Sequence, residues 1–451
     1  MIYDLILKGG RVLLSHPKNP WDIVEETLDI GIKDGFISEI GSLNQSQGKA
    51  VLSLNNIHVL PGLMDTQVHF REPGMEYKED IAHGSLAAVK GGITAFFEMP
   101  NTIPPTMTRQ ALENKVQLAR KVSWCDFAFY AGAGKDNKLE LSKLRKLPGC
   151  CGVKVFMGKS TGDLLVKEQA LLEQIVSQSG PGVTAIHSED EDRLNERKPL
   201  ASKKPVSVHN HPLWRDARTA LLSTERVVAI AEKYQKPIHI LHLSTKEEME
   251  FLENHRALVS TEVTPQHLTL SAPECYEAWG TLVQMNPPIR DKTHQEALWR
   301  ALQKGLVDII ASDHAPHTLE EKQKPYPGTP SGMPGVQTLL PLMLNHVHHR
   351  RLDIKTLVKL LSLNPARRFK MKKQGLIKKG YKAHFTLVDL KARKTISSSW
   401  LASKCGWSPF EGQTVTGWPV GTILYGQPVV REGEVLGKPA GQPVEFDPSS
   451  D

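Results

Sequence analysis

The hydrophobic and polar positions fall into three stretches of different texture. From Leu5 to about residue 55, short alternating runs end in glycine turns, as in Leu5-Ile6-Leu7-Lys8-Gly9-Gly10 and Ile30-Gly31-Ile32-Lys33-Asp34-Gly35. Alternation closed by Gly or Asp-Gly predicts strands joined by tight turns. The same texture returns after Lys382, in His384-Phe385-Thr386-Leu387-Val388-Asp389 and Gly421-Thr422-Ile423-Leu424-Tyr425-Gly426. Between these ends lie eight near-continuous apolar runs, around 58–70, 93–101, 124–133, 151–158, 182–189, 237–244, 259–268 and 307–316. Continuous runs are what parallel strands buried on both faces require. Helical stretches such as Arg109–Lys121, Asp216–Tyr234 and Thr293–Lys304 separate several of them. The pattern predicts an α/β chain: a (β/α)8 TIM-type barrel over 58–379, with a small β-sandwich built jointly from 1–57 and 380–436. The last stretch, 437–451, is rich in Gly, Pro and Ser and is expected to be a loose tail.

Composition narrows the picture only a little. With 451 residues, 40% hydrophobic and 23% charged, the chain can bury a large core. No apolar stretch approaches the ~20 residues of a membrane span. The start, Met1-Ile2-Tyr3-Asp4-Leu5, lacks a signal peptide's basic head and apolar run, so the cytoplasm and no membrane partner are expected. The five cysteines are scattered and form no C-x-x-C pair, which predicts reduced, structural thiols. The net charge of +7 would suggest nucleic acid, but Arg367 to Lys382 carries eight Lys or Arg and no acid, and accounts for the whole excess. Such a tract reads as solvated surface. A nucleic-acid groove would interleave aromatics, and only Phe369 and Tyr381 are near, so no nucleic-acid partner is expected.

The chemistry lies at the ends of the apolar runs. They finish in Asp65-Thr66-Gln67-Val68-His69-Phe70-Arg71, Glu98-Met99-Pro100-Asn101, Ile186-His187-Ser188-Glu189, Leu241-His242-Leu243-Ser244 and Ser312-Asp313-His314, and the fourth carries Val153-Lys154-Val155. In a β/α barrel these ends converge on one face, where active sites form. A single buried histidine is usually a satisfied core residue. Three histidines, a lysine and an aspartate at successive strand ends point instead to a site for zinc or a related divalent metal. A lysine inside a barrel is costly as a cation, so its pKa should fall. As a neutral amine it can take up carbon dioxide to give a carbamate, a bridging carboxylate in effect. Two metals roughly 3.5–4 Å apart could share it together with a hydroxide that attacks a carbonyl.

On these residues the sequence resembles the amidohydrolase superfamily and, within it, the class I-like dihydroorotases. The motifs His69-Phe70-Arg71-Glu72-Pro73-Gly74, Met99-Pro100-Asn101-Thr102, Asn286-Pro287-Pro288-Ile289-Arg290 and Ser312-Asp313-His314-Ala315-Pro316-His317 carry the resemblance by their order and spacing. It implies reversible, metal-dependent hydrolysis of (S)-dihydroorotate to N-carbamoyl-L-aspartate in pyrimidine biosynthesis. It implies one or two Zn2+ ions, with His69 on one, His187 and His242 on the other, and carboxylated Lys154 as bridge. Asp313 would bind metal and act as general base. Arg71 and Asn101 would hold the substrate carboxylate, with His69, Asn286 and His317 as further substrate contacts. The segment Pro327-Gly328-Thr329-Pro330-Ser331-Gly332 resembles the family's mobile segment, whose backbone near Ser331 and Gly332 completes the pocket. As partners the resemblance admits a homodimer and association with aspartate transcarbamoylase.

Other histidines receive structural readings. His314 is expected to point away from the metals, and His239 to face the side opposite His242. His209 and His211 are read as loop structure, and His346, His348 and His349 as a polar helix face near a surface.

One position departs from the family, which places two histidines in D-x-H-x-H where this chain has Gln67 before His69. An amide oxygen is a neutral, harder and weaker zinc ligand than imidazole. Three consequences are open: Gln67 or water fills the gap, one metal suffices, or the chain is a non-catalytic assembly subunit. The rest of the set is intact, which favours an active enzyme. Allantoinase or dihydropyrimidinase chemistry is the remaining alternative, and Arg71 argues against it because those substrates lack the carboxylate.

Overall fold

The computed structural model describes residues 2–16, 18–159, 164–180 and 182–447. Eight strands, Leu63–Val68, Ile93–Glu98, Asp126–Gly132, Cys150–Phe156, Val183–His187, Ile238–Ile240, Val259–Val263 and Ile309–Ile310, are hydrogen-bonded in chain order, every pair parallel. A bridge between Val68 and His314, with His69 N donating to His314 O at 2.7 Å, joins the last strand region to the first. The result is a nearly closed (β/α)8 barrel. Its strands are buried along their whole length, which explains their unbroken apolar runs.

The intervening helices start where side chains can cap them. Thr108, Asp216 and Asp291 accept from the backbone N–H of Ala111, Thr219 and Thr293, opening helices Arg109–Val122, Ala217–Tyr234 and Lys292–Gln303. These bounds lie within a residue of those expected from the sequence.

The two chain ends share one continuous sheet of nine strands. Leu5–His16, Asn19–Lys33, Phe36–Gly41, Val51–Ser53 and His58–Pro61 come from the N-terminal side, and Phe385–Thr395, Thr414–Leu424, Gln427–Arg431 and Glu434–Val435 from the C-terminal side. His58–Pro61 pairs antiparallel with Phe385–Val388 and so joins the halves. The apolar run 58–70 therefore serves two sheets rather than forming one barrel strand. It divides at Gly62, whose N–H donates to His384 O and where a Cβ would lie 2.4 Å from Thr94 Oγ1.

The stretch expected to be a loose tail is packed as far as Asp447. Phe127 N donates to Gln442 O, and Val444 N donates to Phe127 O. Val444 is buried, and Phe446 stands edge-on to Phe97 at 5.8 Å, beside Phe369. This segment closes the barrel end where strands begin, opposite the end where the polar residues gather. All five cysteines are free thiols and four are buried. Among the described residues no helix is long and apolar enough to cross a membrane.

Candidate metal centre and substrate pocket

At the carboxyl ends of the barrel strands a pocket is lined by Gln67, His69, Arg71, Asn101, Lys154, Phe156, His187, His242, Asn286, Asp313, Ala315, Ser331 and Gly332. The residues singled out from the sequence all face it except His317. A wider groove near Asp308, Arg350 and Asp353 lies at the other end of the barrel and gathers no such donors. Three pocket residues turn sharply off their strands, with left-handed backbone at Arg71 (φ +65°), His242 (φ +36°) and Asp313 (φ +45°). Non-glycine residues rarely adopt this conformation, and it tends to persist where a functional site requires it.

One half of the pocket is built from histidines. His187 Nδ1 lies 2.9 Å from His242 Nε2, and His187 Nε2 lies 3.0 Å from Glu189 Oε2. Burial pushes both imidazoles below their usual pKa, most strongly at His242, which favours the neutral rings that a cation needs as ligands. The Lys154 amine is buried beside them with no hydrogen-bond partner, 4.6 Å over the Phe156 ring. Burial drives its pKa down to about 7, against the opposing pull of Asp313 and Glu262. Neutral imidazoles and an unsatisfied, partly neutral amine fit a divalent cation or a carbamate-forming lysine. Among the described residues no three His, Cys, Asp or Glu side chains gather closely enough to hold an ion by themselves. Lys154 is thus the group that could complete this half.

The other half is organised around Asp313. Its Oδ1 accepts from Gln67 Nε2 at 3.0 Å and lies 3.2 Å from His69 Nε2, while His69 Nδ1 lies 2.7 Å from Asn101 Oδ1. The Gln67 oxygen is buried with no hydrogen-bond partner. This half offers one imidazole, one carboxylate and one amide oxygen.

Arg71 forms the far wall. It is 2% exposed, donates from Nε to Pro316 O at 3.1 Å, and reaches His317 Nε2 at 3.4 Å. Among the described residues no carboxylate pairs with it. A buried guanidinium normally has an anionic partner, since an uncompensated buried charge costs several kcal/mol. Asn286 stands across the pocket, its Oδ1 3.0 Å from His211 Nε2.

The other histidines separate cleanly. His314 turns away, Nε2 toward Glu79 at 3.3 Å and Nδ1 accepting from Gly335 N. His239 lies lower in the barrel, bonded to Ser260 Oγ and 3.4 Å from Glu262. His211 is structural in a specific sense: it holds Asn286. His346 corrects the expectation of a polar surface face, because it is buried against Trp299 and bonded to Thr269, whereas His348 and His349 lie exposed.

Sequence reasoning overlooked the support behind the pocket. Glu189 is buried, receives a two-point contact from Arg215, and orients His187 through Nε2. Glu189 follows His187 by two residues, a visible hint, but Arg215 lies on a later loop that only the fold brings back. Lys78, paired with His317 and Glu321, was missed for the same reason.

The Amidohydrolase family profile matches residues 58–429. The chain is 37% identical to the dihydroorotase of Methanothermobacter thermautotrophicus over 91% of its own length and 92% of that protein's. It is also 37% identical to the dihydroorotase of Pyrococcus abyssi, over 92% and 93% of the two chains. Among solved structures, the L-hydantoinase (dihydropyrimidinase) from Arthrobacter aurescens superposes with a TM-score of 0.91 at 28% identity, covering 98% of this chain and 100% of that one.

Proposed function

Because the chain belongs to the amidohydrolase family and, within it, to the dihydroorotases, we propose that its pocket hydrolyses the cyclic amide of (S)-dihydroorotate reversibly to N-carbamoyl-L-aspartate. The observation that carries this reading over a hydantoinase-like one is Arg71, a buried cation in the pocket wall without an anionic partner among the described residues. Dihydroorotate brings a carboxylate that satisfies it, with room for two-point pairing. Dihydrouracil and hydantoin bring none. The likeness in fold to L-hydantoinase fits a shared cyclic-amide reaction, and the pocket wall sets the difference.

In this reading His187, His242 and Lys154 would hold a divalent cation, Zn2+ by the chemistry of the donors, with the neutral Lys154 amine adding to carbon dioxide and releasing a proton to give a carbamate. The cation supplies Lewis-acid polarisation of the ring carbonyl and acidifies water when bound. His69 and Asp313, with the Gln67 amide oxygen, would form a second position, weaker for having an amide where an imidazole could stand. Asp313 takes a proton from the attacking water and returns it to the ring nitrogen as the carbon–nitrogen bond breaks. Water oxygen thereby becomes part of the new carboxylate, and the nitrogen leaves as the carbamoyl amide. Arg71 and Asn101 hold the substrate's own carboxylate. Asn286, fixed at its oxygen by His211, is left with its NH2 for a ring carbonyl. The Ser331–Gly332 backbone closes the pocket over the ring, and His317 acts one layer behind, through Arg71 and Ser331.

Purified protein assayed with dihydroorotate, dihydrouracil and hydantoin should turn over the carboxylated ring fastest. Arg71→Met should lose about 100-fold or more in kcat/KM toward dihydroorotate, the scale of a charge-assisted pair worth roughly 1.5–3 kcal/mol or more when buried. Faster turnover of either neutral ring would sink the assignment.

A further inference from the structure

Behind the Ser331–Gly332 backbone lies a buried group of charges that the bond-breaking step does not touch. Lys78 is 6% exposed, with Nζ 3.0 Å from His317 Nδ1 and 2.9 Å from Glu321 Oε1. An ammonium has three donors and no acceptor, so His317 Nδ1 must be the acceptor and the ring proton must sit on Nε2. That nitrogen lies 3.1 Å from Ser331 O, to which it donates. The opposite tautomer would set a lone pair against the Ser331 carbonyl and an N–H against the Lys78 ammonium. Among the described residues its only carboxylate neighbour, Glu321 Oε2, is 3.6 Å away, too far to compensate. Protonation is disfavoured as well. Burial first, then the neighbouring cations Arg71, Lys78 and Lys322, hold His317 well below its ordinary pKa.

Lys322 secures the same segment from the other side. Its Nζ donates to Gln284 O at 3.1 Å and Pro330 O at 3.0 Å, and Gly332 N donates to Gln284 O at 2.9 Å. The fixed Nε2–H has a second effect: Arg71 NH2, 3.4 Å from that nitrogen, meets a donor rather than a lone pair. His317 therefore leaves the guanidinium uncommitted.

We propose that Lys78 is a positioning residue: by donating to His317 Nδ1 it fixes the tautomer that latches the Ser331 carbonyl, holding the Ser331–Gly332 backbone over the substrate and keeping Arg71 available for its carboxylate. The role rests on the dihydroorotate reading of the pocket. A purely structural Lys78 would serve only to balance Glu321, and the two roles separate experimentally.

The first measurement is the ring-nitrogen NMR spectrum of the intact enzyme labelled with 15N-histidine, with His317→Asn used only to identify the signals. His317 should be protonated at Nε2 and bare at Nδ1; a proton on Nδ1, or on both nitrogens, overturns the proposal. This spectrum is independent of which ring the enzyme opens, so failure of the substrate assignment leaves it readable. The second measurement compares Lys78→Met with Lys78→Gln, whose amide N–H can still donate to Nδ1. Lys78→Met should raise KM for dihydroorotate about tenfold while kcat stays within about threefold, the scale of one lost charge-assisted hydrogen bond. Lys78→Gln should recover most of the KM, with metal content equal in all three proteins. A Lys78→Met KM within twofold of the parent, or a Gln variant no better than Met, overturns the latch.

Discussion

The Gln67 amide is held through Nε2, which donates to Asp313 Oδ1, and that bond decides where its oxygen goes. With the NH2 group committed, Oε1 is left buried and unpartnered in the pocket. An unsatisfied buried acceptor costs about 1–3 kcal/mol, so a cation or a water at that point is favoured. An amide oxygen nevertheless binds zinc-like ions less tightly than imidazole does. We therefore expect unequal loading: after dialysis against a weak chelator, the parent protein should retain close to one equivalent of metal, and Gln67→His close to two. Metal quantification on the dialysed proteins checks this, and equal retention in the two would show that Gln67 or water already makes up the deficit. The missing imidazole is visible in the sequence, because residues i and i+2 at a strand end share a face and only one of them, His69, is histidine. The commitment of the amide to Asp313 was not readable, since the two lie 246 positions apart.

Strand ends and helix starts were the most legible elements, because each is encoded locally. An apolar run ending in His or Asp marks a strand end, and Asp216 or Thr108 before an amphipathic stretch marks a helix start. The segment around Gly332 is the contrary case, shaped by what it leans on. Gly332 has φ +135°, and a Cβ there would lie 2.4 Å from Ala315 O and 3.0 Å from Ala315 Cβ. Ala315 itself lines the pocket, so any displacement of this segment alters the pocket wall. Gly332→Ala forces either the backbone angle or the contact to give, at a cost of roughly 1–3 kcal/mol. Most of that cost should fall on the closed arrangement of the segment and leave the barrel intact. KM for dihydroorotate should rise about tenfold, with far-UV circular dichroism and melting temperature close to the parent's. A KM within twofold of the parent would mean that the backbone there does not contact the substrate.

Across the whole molecule the chain builds its site at one end of the barrel and seals the other end with its last described residues. The Gly- and Pro-rich composition of 437–451 suggested looseness, yet those residue types serve close packing. A Cβ at Gly441 would come 2.0 Å from Cys125 O, and Pro443 bridges to Phe127. Composition reports conformational freedom in the unfolded chain and is silent about a surface waiting to be covered. That surface belongs to the buried ring cluster in which Phe97 meets Phe369 edge-on at 4.8 Å and Tyr130 lies 6.2 Å from Phe369. Val444 is 1% exposed, and Phe446 adds a second apolar side chain against the cluster. Each such side chain contributes about 1.5–3 kcal/mol when fully buried. Gln442 N also donates to Asp126 Oδ1, a carboxylate that accepts from Tyr425 OH in the terminal sheet, so the segment ties that sheet to the barrel base. Deleting everything after Leu436 should therefore destabilise the protein by about 3–5 kcal/mol. The loss should appear as a melting temperature lower by several degrees, roughly 1–2 °C per kcal/mol in a chain this long. The pocket lies at the far end, so kcat and KM measured well below the melting range should stay within about twofold of the parent. An unchanged melting temperature would return the segment to the role of a loose tail, and a collapse of kcat without destabilisation would mean that the barrel base communicates with the pocket.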